Sequence, residues 1–165
     1  MTKQRDKYFP DPETLVKRFY CDEMLKRLGR WLRAAGFDTL IADNSITDRK
    51  MIEKASKEGR CLVTRDHKLT EYRQAKNTVL LLAGNSTEHC ATELTQRLNI
   101  NWLYRPFSRC LLCNTKVVPA EPSDWQKVPP KSRDMAEQLW FCPGCARLYW
   151  PGSHTRKMLD RLSAW

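Results

Sequence analysis

The sequence predicts an α/β protein with a mainly parallel sheet covered on both faces, followed by a small metal-binding module. Short apolar runs, typical of buried parallel strands, alternate with helical periodicity over residues 16–98. After Pro106 the chain becomes rich in cysteine, proline and aromatic residues. We therefore expect a poorly ordered tail over 1–14, an α/β domain over 15–105, and a cysteine-bearing module over 106–165.

Each strand of the α/β domain is predicted from a short apolar run, and each helix from its apolar stripe and its end signals. Gly36 and Gly59 are expected to end the first two helices, and Thr47 or Asp48 to cap the second. Ser153 is expected to cap a C-terminal helix that reaches Trp165. The predicted strands are 16–21, 37–42, 60–64 and 78–82, and the predicted helices are 23–35, 48–58, 87–98 and 153–165, with a short helix or turn over 68–76.

Four cysteines form two C-x-x-C pairs, Cys110 with Cys113 and Cys142 with Cys145. Four thiolates in paired knuckles satisfy tetrahedral Zn²⁺ and leave no open position. The long segment between the pairs costs little loop-closure entropy. The pattern predicts a structural zinc site, with an iron–sulfur cluster as the minor alternative.

Three aspartates, Asp22, Asp48 and Asp66, follow a predicted strand or begin a predicted helix. The carboxyl ends of parallel strands share one edge of a sheet, so Asp22 and Asp66 should lie at the same edge, which the N-terminus of the helix capped by Asp48 should face. Each one alone is equally well explained as a helix cap or a turn residue. Grouped carboxylates repel one another unless a cation joins them, and oxygen ligands favour Mg²⁺ or Mn²⁺. Such an ion can activate water for phosphodiester hydrolysis.

The formal net charge of +10, together with six Trp and five Tyr, favours a polyanionic partner, most simply nucleic acid. Lys26, Arg30 and Arg33 face away from the apolar stripe of the first helix, and Arg27 lies on its flank. This basic ridge begins one turn from Asp22 and can contact a phosphate backbone. An ordinary solvated helix face explains it equally well.

Three sequence motifs, taken together, are specific enough to indicate a protein family: Cys21-Asp22-Glu23-Met24-Leu25, Leu62-Val63-Thr64-Arg65-Asp66, and Phe141-Cys142-Pro143-x-Cys145. With the residues between them, they resemble the mut-seven C-terminal RNase domain family over nearly the whole chain beyond the N-terminal tail. The resemblance implies a PIN-like, three-layer nuclease domain fused to a zinc ribbon. It implies that Asp22, Asp48 and Asp66 are the catalytic residues that hold Mg²⁺ or Mn²⁺, and that the four cysteines hold Zn²⁺. The fourth acid often present in PIN domains has no clear counterpart here.

The leading hypothesis is therefore a metal-dependent ribonuclease acting on RNA, which we expect to be single-stranded. Four arginines are expected to hold the RNA backbone: Arg27, Arg30, Arg33 and Arg65. Three aromatic residues either stack on bases or pack around the zinc knuckles: Trp140, Tyr149 and Trp150.

Two other classes of function stay open from the sequence. One is a non-catalytic RNA- or DNA-binding zinc-ribbon protein, in which the acids are only caps. The other is a protein-interaction scaffold. No apolar run approaches the roughly 20 residues that span a bilayer, and residues 1–12 lack the apolar segment of a secretory signal. We therefore expect a cytosolic protein with no membrane partner.

Overall fold

The computed structural model describes residues 18–134 and 136–165. The predicted tail over residues 1–14 lies outside this part of the chain. The chain divides into two compact units. Unit 1 comprises Met1–Arg30 and Asp38–Asn101, and unit 2 comprises Trp31–Phe37 and Trp102–Trp165.

Unit 1 contains a parallel sheet of four strands in the order β2-β1-β3-β4. The strands are β1 (Arg18–Cys21), β2 (Asp38–Ile41), β3 (Cys61–Thr64) and β4 (Val79–Leu81). In the central pair, Cys21 of β1 lies opposite Val63 of β3. The predicted α/β class with a parallel sheet is confirmed.

Three α-helices connect and follow these strands: α1 (Lys26–Ala34), α2 (Asp48–Lys57) and α3 (Thr87–Leu98). A 3-10 turn over Glu23–Leu25 precedes α1, and two more occupy His67–Glu71 and Arg73–Ala75. The first predicted helix therefore begins with a tighter turn, in which the Leu25 N–H donates to the Asp22 carbonyl at 2.9 Å. Ser86 caps α3, because its hydroxyl accepts the His89 N–H at 3.1 Å.

The core of unit 1 forms where the apolar strands meet the apolar stripe of α2. Leu62 of β3 is fully buried, and Ile52 and Ala55 of α2 are 1% and 0% exposed. Because the central strands are apolar along their whole length, they form the buried centre of the sheet, and the polar residues lie at its edges. The buried residues of this cluster are Tyr20, Ala42, Met51, Ile52, Ala55, Leu62, Leu69, Ala75 and Val79.

Unit 2 contains a small antiparallel sheet in the order β5-β6-β7. Its strands are β5 (Val118–Pro119), β6 (Trp140–Phe141) and β7 (Leu148–Tyr149), and its helices are α4 (Pro130–Arg133) and α5 (Ser153–Ser163). The predicted cap of the C-terminal helix is wrong. Ser153 is its first helical residue, and Gly152 occupies the cap position without a side-chain bond.

Gly36 lets the chain turn after α1 within unit 2. Its φ of +97° lies in the region that favours glycine, and a Cβ there would collide with the carbonyl oxygen of Arg105. The Arg105 N–H donates to the Ala35 carbonyl at 3.0 Å. The ring of Trp165 packs edge-on against Trp31 and Trp102, with centroids 5.1 and 5.0 Å away.

In the described part of the chain, no helix is long and apolar enough to cross a membrane.

Candidate metal sites and nucleic-acid interface

Asp22 and Asp66 follow neighbouring strands, and the hydroxyl of Thr64 joins them. The main chain brings the ends together, because the Asp22 N–H donates to the Val63 carbonyl at 3.0 Å. Thr64 Oγ1 then donates to Asp22 Oδ2 at 2.7 Å and accepts the Asp66 N–H at 2.9 Å. The predicted meeting of the two acids at one sheet edge is therefore what the fold produces.

Each of these acids uses one carboxylate oxygen in a local hydrogen bond. Asp22 stands at the cap position of the first 3-10 turn but makes no capping bond, because its side chain turns to Thr64. Asp66 Oδ1 accepts the Lys68 N–H at 2.9 Å and caps the following turn. Within the described residues, Asp22 Oδ1 and Asp66 Oδ2 make no hydrogen bond, which leaves one oxygen of each for a ligand.

The third predicted acid, Asp48, lies on a different element from this pair. It is the first residue of α2 and half-buried, and its carboxylate makes no hydrogen bond in the described part of the chain. Across residues 18–134 and 136–165, the three aspartates do not form a group whose ligand oxygens all lie within 4.8 Å of one another. Asp22, Asp48 and Asp66 all fit a hard cation by donor chemistry, and Asp22 is linked through the Thr64 hydroxyl to the Asp66 backbone.

Asp43, a nearby acid after β2, folds back onto its own loop. Its Oδ1 accepts the Ser45 N–H at 2.9 Å and also the Ser45 hydroxyl. These hydrogen bonds lower the pKa of the Asp43 carboxyl. Asp43 is thus explained as a turn residue, and it makes no hydrogen bond with Thr64 in the described part of the chain.

The predicted arginines divide into an exposed set and one buried residue. Arg27, Arg30 and Arg65 are exposed in unit 1, and they make no hydrogen bond or ion pair within the described residues. The predicted exposure of Arg33 is wrong. Arg33 is only 6% exposed, and in unit 2 its Nη1 donates to the carbonyls of Leu111 and Leu112 at 3.0 and 2.7 Å.

The four cysteines of unit 2 do converge. The sulfur atoms of Cys110, Cys113, Cys142 and Cys145 all lie within 4.8 Å of one another. Gly144 permits this approach, because a Cβ there would collide with the side chain of Thr115 in the facing knuckle. Four sulfur ligands in two knuckles are the donor set of a structural zinc site in a zinc ribbon, as predicted.

The pKa values of these thiols show how closely their charges interact. Burial raises the pKa of the Cys113 thiol, but hydrogen bonding with Thr115 and the neighbouring cysteines outweighs it and lowers the pKa to about 6. The pKa of Cys145 is raised to about 12 by burial and by hydrogen bonding with Cys110. Four thiolates this close repel one another, so a divalent cation is the natural way to ionise all four.

Tyr149 contacts the cysteine cluster. Its hydroxyl lies 3.0 Å from the Cys110 sulfur, which settles this aromatic as a packing residue around the knuckles. Trp140 pairs with Tyr149 across β6 and β7, and Trp140 and Trp150 are both half-buried. Neither Trp has the full exposure of a free stacking surface.

Two residues that position the sheet edge were missed from the sequence. The sequence pattern identifies Thr64 only as the end of a strand. A threonine two residues before an acid can, however, accept a hydrogen bond from the backbone N–H of that acid. Glu93 of α3 reaches back past β4, where its Oε2 accepts the N–H groups of Ala83 and Gly84 at 2.9 and 3.2 Å. Its other oxygen pairs with Arg97 at 2.8 Å, so it holds the loop after β4.

Comparison with known protein families gives a match over most of the chain. A family model described as the Mut7-C RNAse domain matches residues 17–162. The chain belongs to the Mut7-C family. The resemblance found in the sequence is therefore confirmed.

A human protein named Exonuclease mut-7 homolog is 31% identical to this chain over 128 residues. The match covers 75% of the chain but 14% of the human protein, so the chain spans about one seventh of that relative's length. Membership of the Mut7-C RNase family indicates a nuclease with a nucleic-acid substrate.

Proposed function

We propose that this Mut7-C protein is a metal-dependent ribonuclease with a PIN-like catalytic unit, hydrolysing phosphodiester bonds in single-stranded RNA. The observation that carries the proposal is the linked pair at the sheet edge, where Thr64 joins Asp22 and Asp66. In open α/β sheets, ligands bind at the carboxyl ends of the strands, which is where this pair lies.

Asp22, Asp66 and Asp48 would hold Mg²⁺ or Mn²⁺. Asp22 Oδ1 and Asp66 Oδ2 are the oxygens left without an internal partner. The carboxylate of Asp48, half-buried and without a hydrogen bond in the described chain, would supply the third ligand. When bound, such an ion supplies activation of water and stabilisation of the leaving oxygen.

Arg27, Arg30 and Arg65 supply the contacts to the RNA backbone. Arg27 and Arg30 are exposed in α1, the helix that follows the Asp22 turn, and Arg65 immediately precedes Asp66. Guanidinium groups without protein partners can pair with phosphate oxygens without first breaking an internal bond. They would hold the strand so that a phosphodiester lies over the acid pair.

The zinc ribbon acts as a structural module in this proposal. Its four sulfur ligands are all cysteines, so a bound Zn²⁺ has no open position and takes no part in hydrolysis.

One observation favours a second candidate, an RNA-binding protein without catalysis. The ligand oxygens of Asp22, Asp48 and Asp66 do not all lie within 4.8 Å of one another in the described structure. In that case Asp66 is only a turn cap, bonded to the Lys68 N–H at 2.9 Å.

A cleavage assay with end-labelled single-stranded RNA, in Mn²⁺ or in EDTA, distinguishes the two candidate functions. The variant is Asp66→Asn, whose amide oxygen can still accept the Lys68 N–H and preserve the turn. The matched control is Asp43→Asn, at the same sheet edge but bonded to Ser45.

We expect wild type and Asp43→Asn to cleave only with Mn²⁺, and Asp66→Asn to lose at least about 100-fold in rate, of the order seen when a charge-stabilising group is removed. Equal cleavage by Asp66→Asn would contradict the proposed site. RNA binding without cleavage by any variant would support the binding module.

A further inference from the structure

Thr64 is the most completely buried polar residue at the proposed site. Its relative exposure is 0%, and it is the last residue of β3. Its hydroxyl lies between the ends of two strands, donating to Asp22 Oδ2 at 2.7 Å and accepting the Asp66 N–H at 2.9 Å.

The polarity of these two bonds is fixed by chemistry. A backbone N–H can only donate, so the hydroxyl must accept from Asp66. Its single proton then goes to the carboxylate of Asp22, which as an ionised group can only accept. The hydroxyl therefore fixes the rotation of the Asp22 carboxylate and the backbone position of Asp66 with one atom.

We propose that Thr64 is a positioning residue for the acid pair, which holds Asp22 Oδ1 and Asp66 Oδ2 in place for a divalent cation. The inference rests on the proposed function, because it assigns Thr64 a role toward the ion that the pair would bind. Thr64 is not assigned as a ligand: its one proton is given to Asp22, and one of its two lone pairs accepts the Asp66 N–H.

A threonine suits this place for two reasons. Its Cβ branch suits the end of a buried strand and restricts χ1, so the hydroxyl points in one direction. Its environment is buried, where a hydrogen bond to a charged group is stronger than in water. Side chains that orient metal ligands in this way typically change metal affinity or activity by about 10- to 100-fold when they are removed.

The test compares Thr64→Val, which keeps the shape and removes the hydroxyl, with Thr64→Ser, which keeps the hydroxyl and removes a methyl group. Two quantities are measured on zinc-loaded full-length protein: Mn²⁺ binding, from the loss of the free-Mn²⁺ electron paramagnetic resonance signal, and single-turnover RNA cleavage. Asp22→Asn serves as the reference for a removed ligand. Thermal midpoints are recorded for all variants.

We expect Thr64→Val to bind Mn²⁺ about 10- to 100-fold more weakly than wild type and to cleave more slowly at a fixed Mn²⁺ concentration. RNA affinity, a further readout on the same zinc-loaded protein without added Mn²⁺, should be unchanged, because the arginines are untouched. Thr64→Ser should retain wild-type Mn²⁺ affinity even where its thermal midpoint falls, since a packing loss alone does not move the acid pair.

A merely structural threonine gives a different pattern, in which Mn²⁺ affinity is equal in Thr64→Val and wild type while only the midpoints differ. That result overturns the positioning role and leaves the proposed nuclease standing if wild type still cleaves. Failure of wild type both to bind Mn²⁺ and to cleave overturns the proposed function, and the role of Thr64 with it.

Discussion

Arg33→Met tests whether this arginine belongs to the zinc module or to the RNA surface. Arg33 is 6% exposed, and its guanidinium donates to two carbonyls of the first cysteine knuckle, Leu111 at 3.0 Å and Leu112 at 2.7 Å. Arg30→Met is the matched control, because Arg30 lies one turn earlier in the same helix and is exposed.

The expected loss of folding stability follows from those two hydrogen bonds. A hydrogen bond to a charged group contributes about 1.5–3 kcal/mol. Because one Nη1 group serves both carbonyls, we expect a total loss of roughly 2–3 kcal/mol for Arg33→Met. For a chain of this size that lowers the thermal midpoint by about 5–10 °C, since 1 kcal/mol shifts it by about 2–4 °C.

The assay combines thermal unfolding of the zinc-loaded protein with RNA binding over a series of salt concentrations. Arg33→Met should lose thermal stability and release zinc faster to a chelator, with an unchanged salt dependence. Arg30→Met should keep its midpoint and reduce the slope of log affinity against log salt by about 0.7, the value of one phosphate contact on a single strand. The reverse pattern, a stable Arg33→Met with a reduced salt slope, would refute this placement of the guanidinium.

Three further perturbations have defined outcomes. Arg60→Met should cost about 3 kcal/mol in chemical denaturation, because Arg60 is buried and its guanidinium pairs with Asp38 and Glu58. Hydrogen bonding to Arg60 lowers the pKa of the Glu58 carboxyl, so this stabilisation is present above pH 4.5 and lost as the pH falls below it, and the variant should lack that loss. Gly36→Ala should lower the thermal midpoint well beyond Gly59→Ala, because both have positive φ but only the Cβ at position 36 meets backbone atoms. Cys142→Ser should abolish stoichiometric zinc binding, measured by elemental analysis, and a full zinc content in this variant would contradict the four-cysteine site.

The sheet and its edge were predictable from the sequence because they depend on local pattern. Apolar runs marked the four strands, and a parallel sheet then placed Asp22 and Asp66 at the same edge. The structure adds that β1 and β3 are neighbours. The cysteine quartet was predictable for a similar reason, since two C-x-x-C pairs specify their own chemistry.

The misplaced residues depend on contacts that sequence spacing does not encode. Helical periodicity put Arg33 on the solvent side of α1, but a distant segment, Leu111-Leu112, covers it and accepts its hydrogen bonds. Thr64 was overlooked because a hydroxyl at a strand end has no distinctive pattern, and its role depends on the acid across from it. Whether Asp48 joins the pair depends on a side-chain position that neither its capping location nor its spacing determines.

The most direct test of the proposed hydrolysis is the chemistry of the new RNA ends. Attack by water at the acid pair needs no 2′-hydroxyl, so cleavage should continue when the nucleotide at the cut is replaced by its 2′-deoxy form, and mass spectrometry should find no 2′,3′-cyclic phosphate. A cyclic phosphate end, or loss of cleavage on 2′-deoxy substitution, would mean that the substrate's own hydroxyl is the nucleophile. That result would contradict hydrolysis by the site that Asp22, Thr64 and Asp66 form.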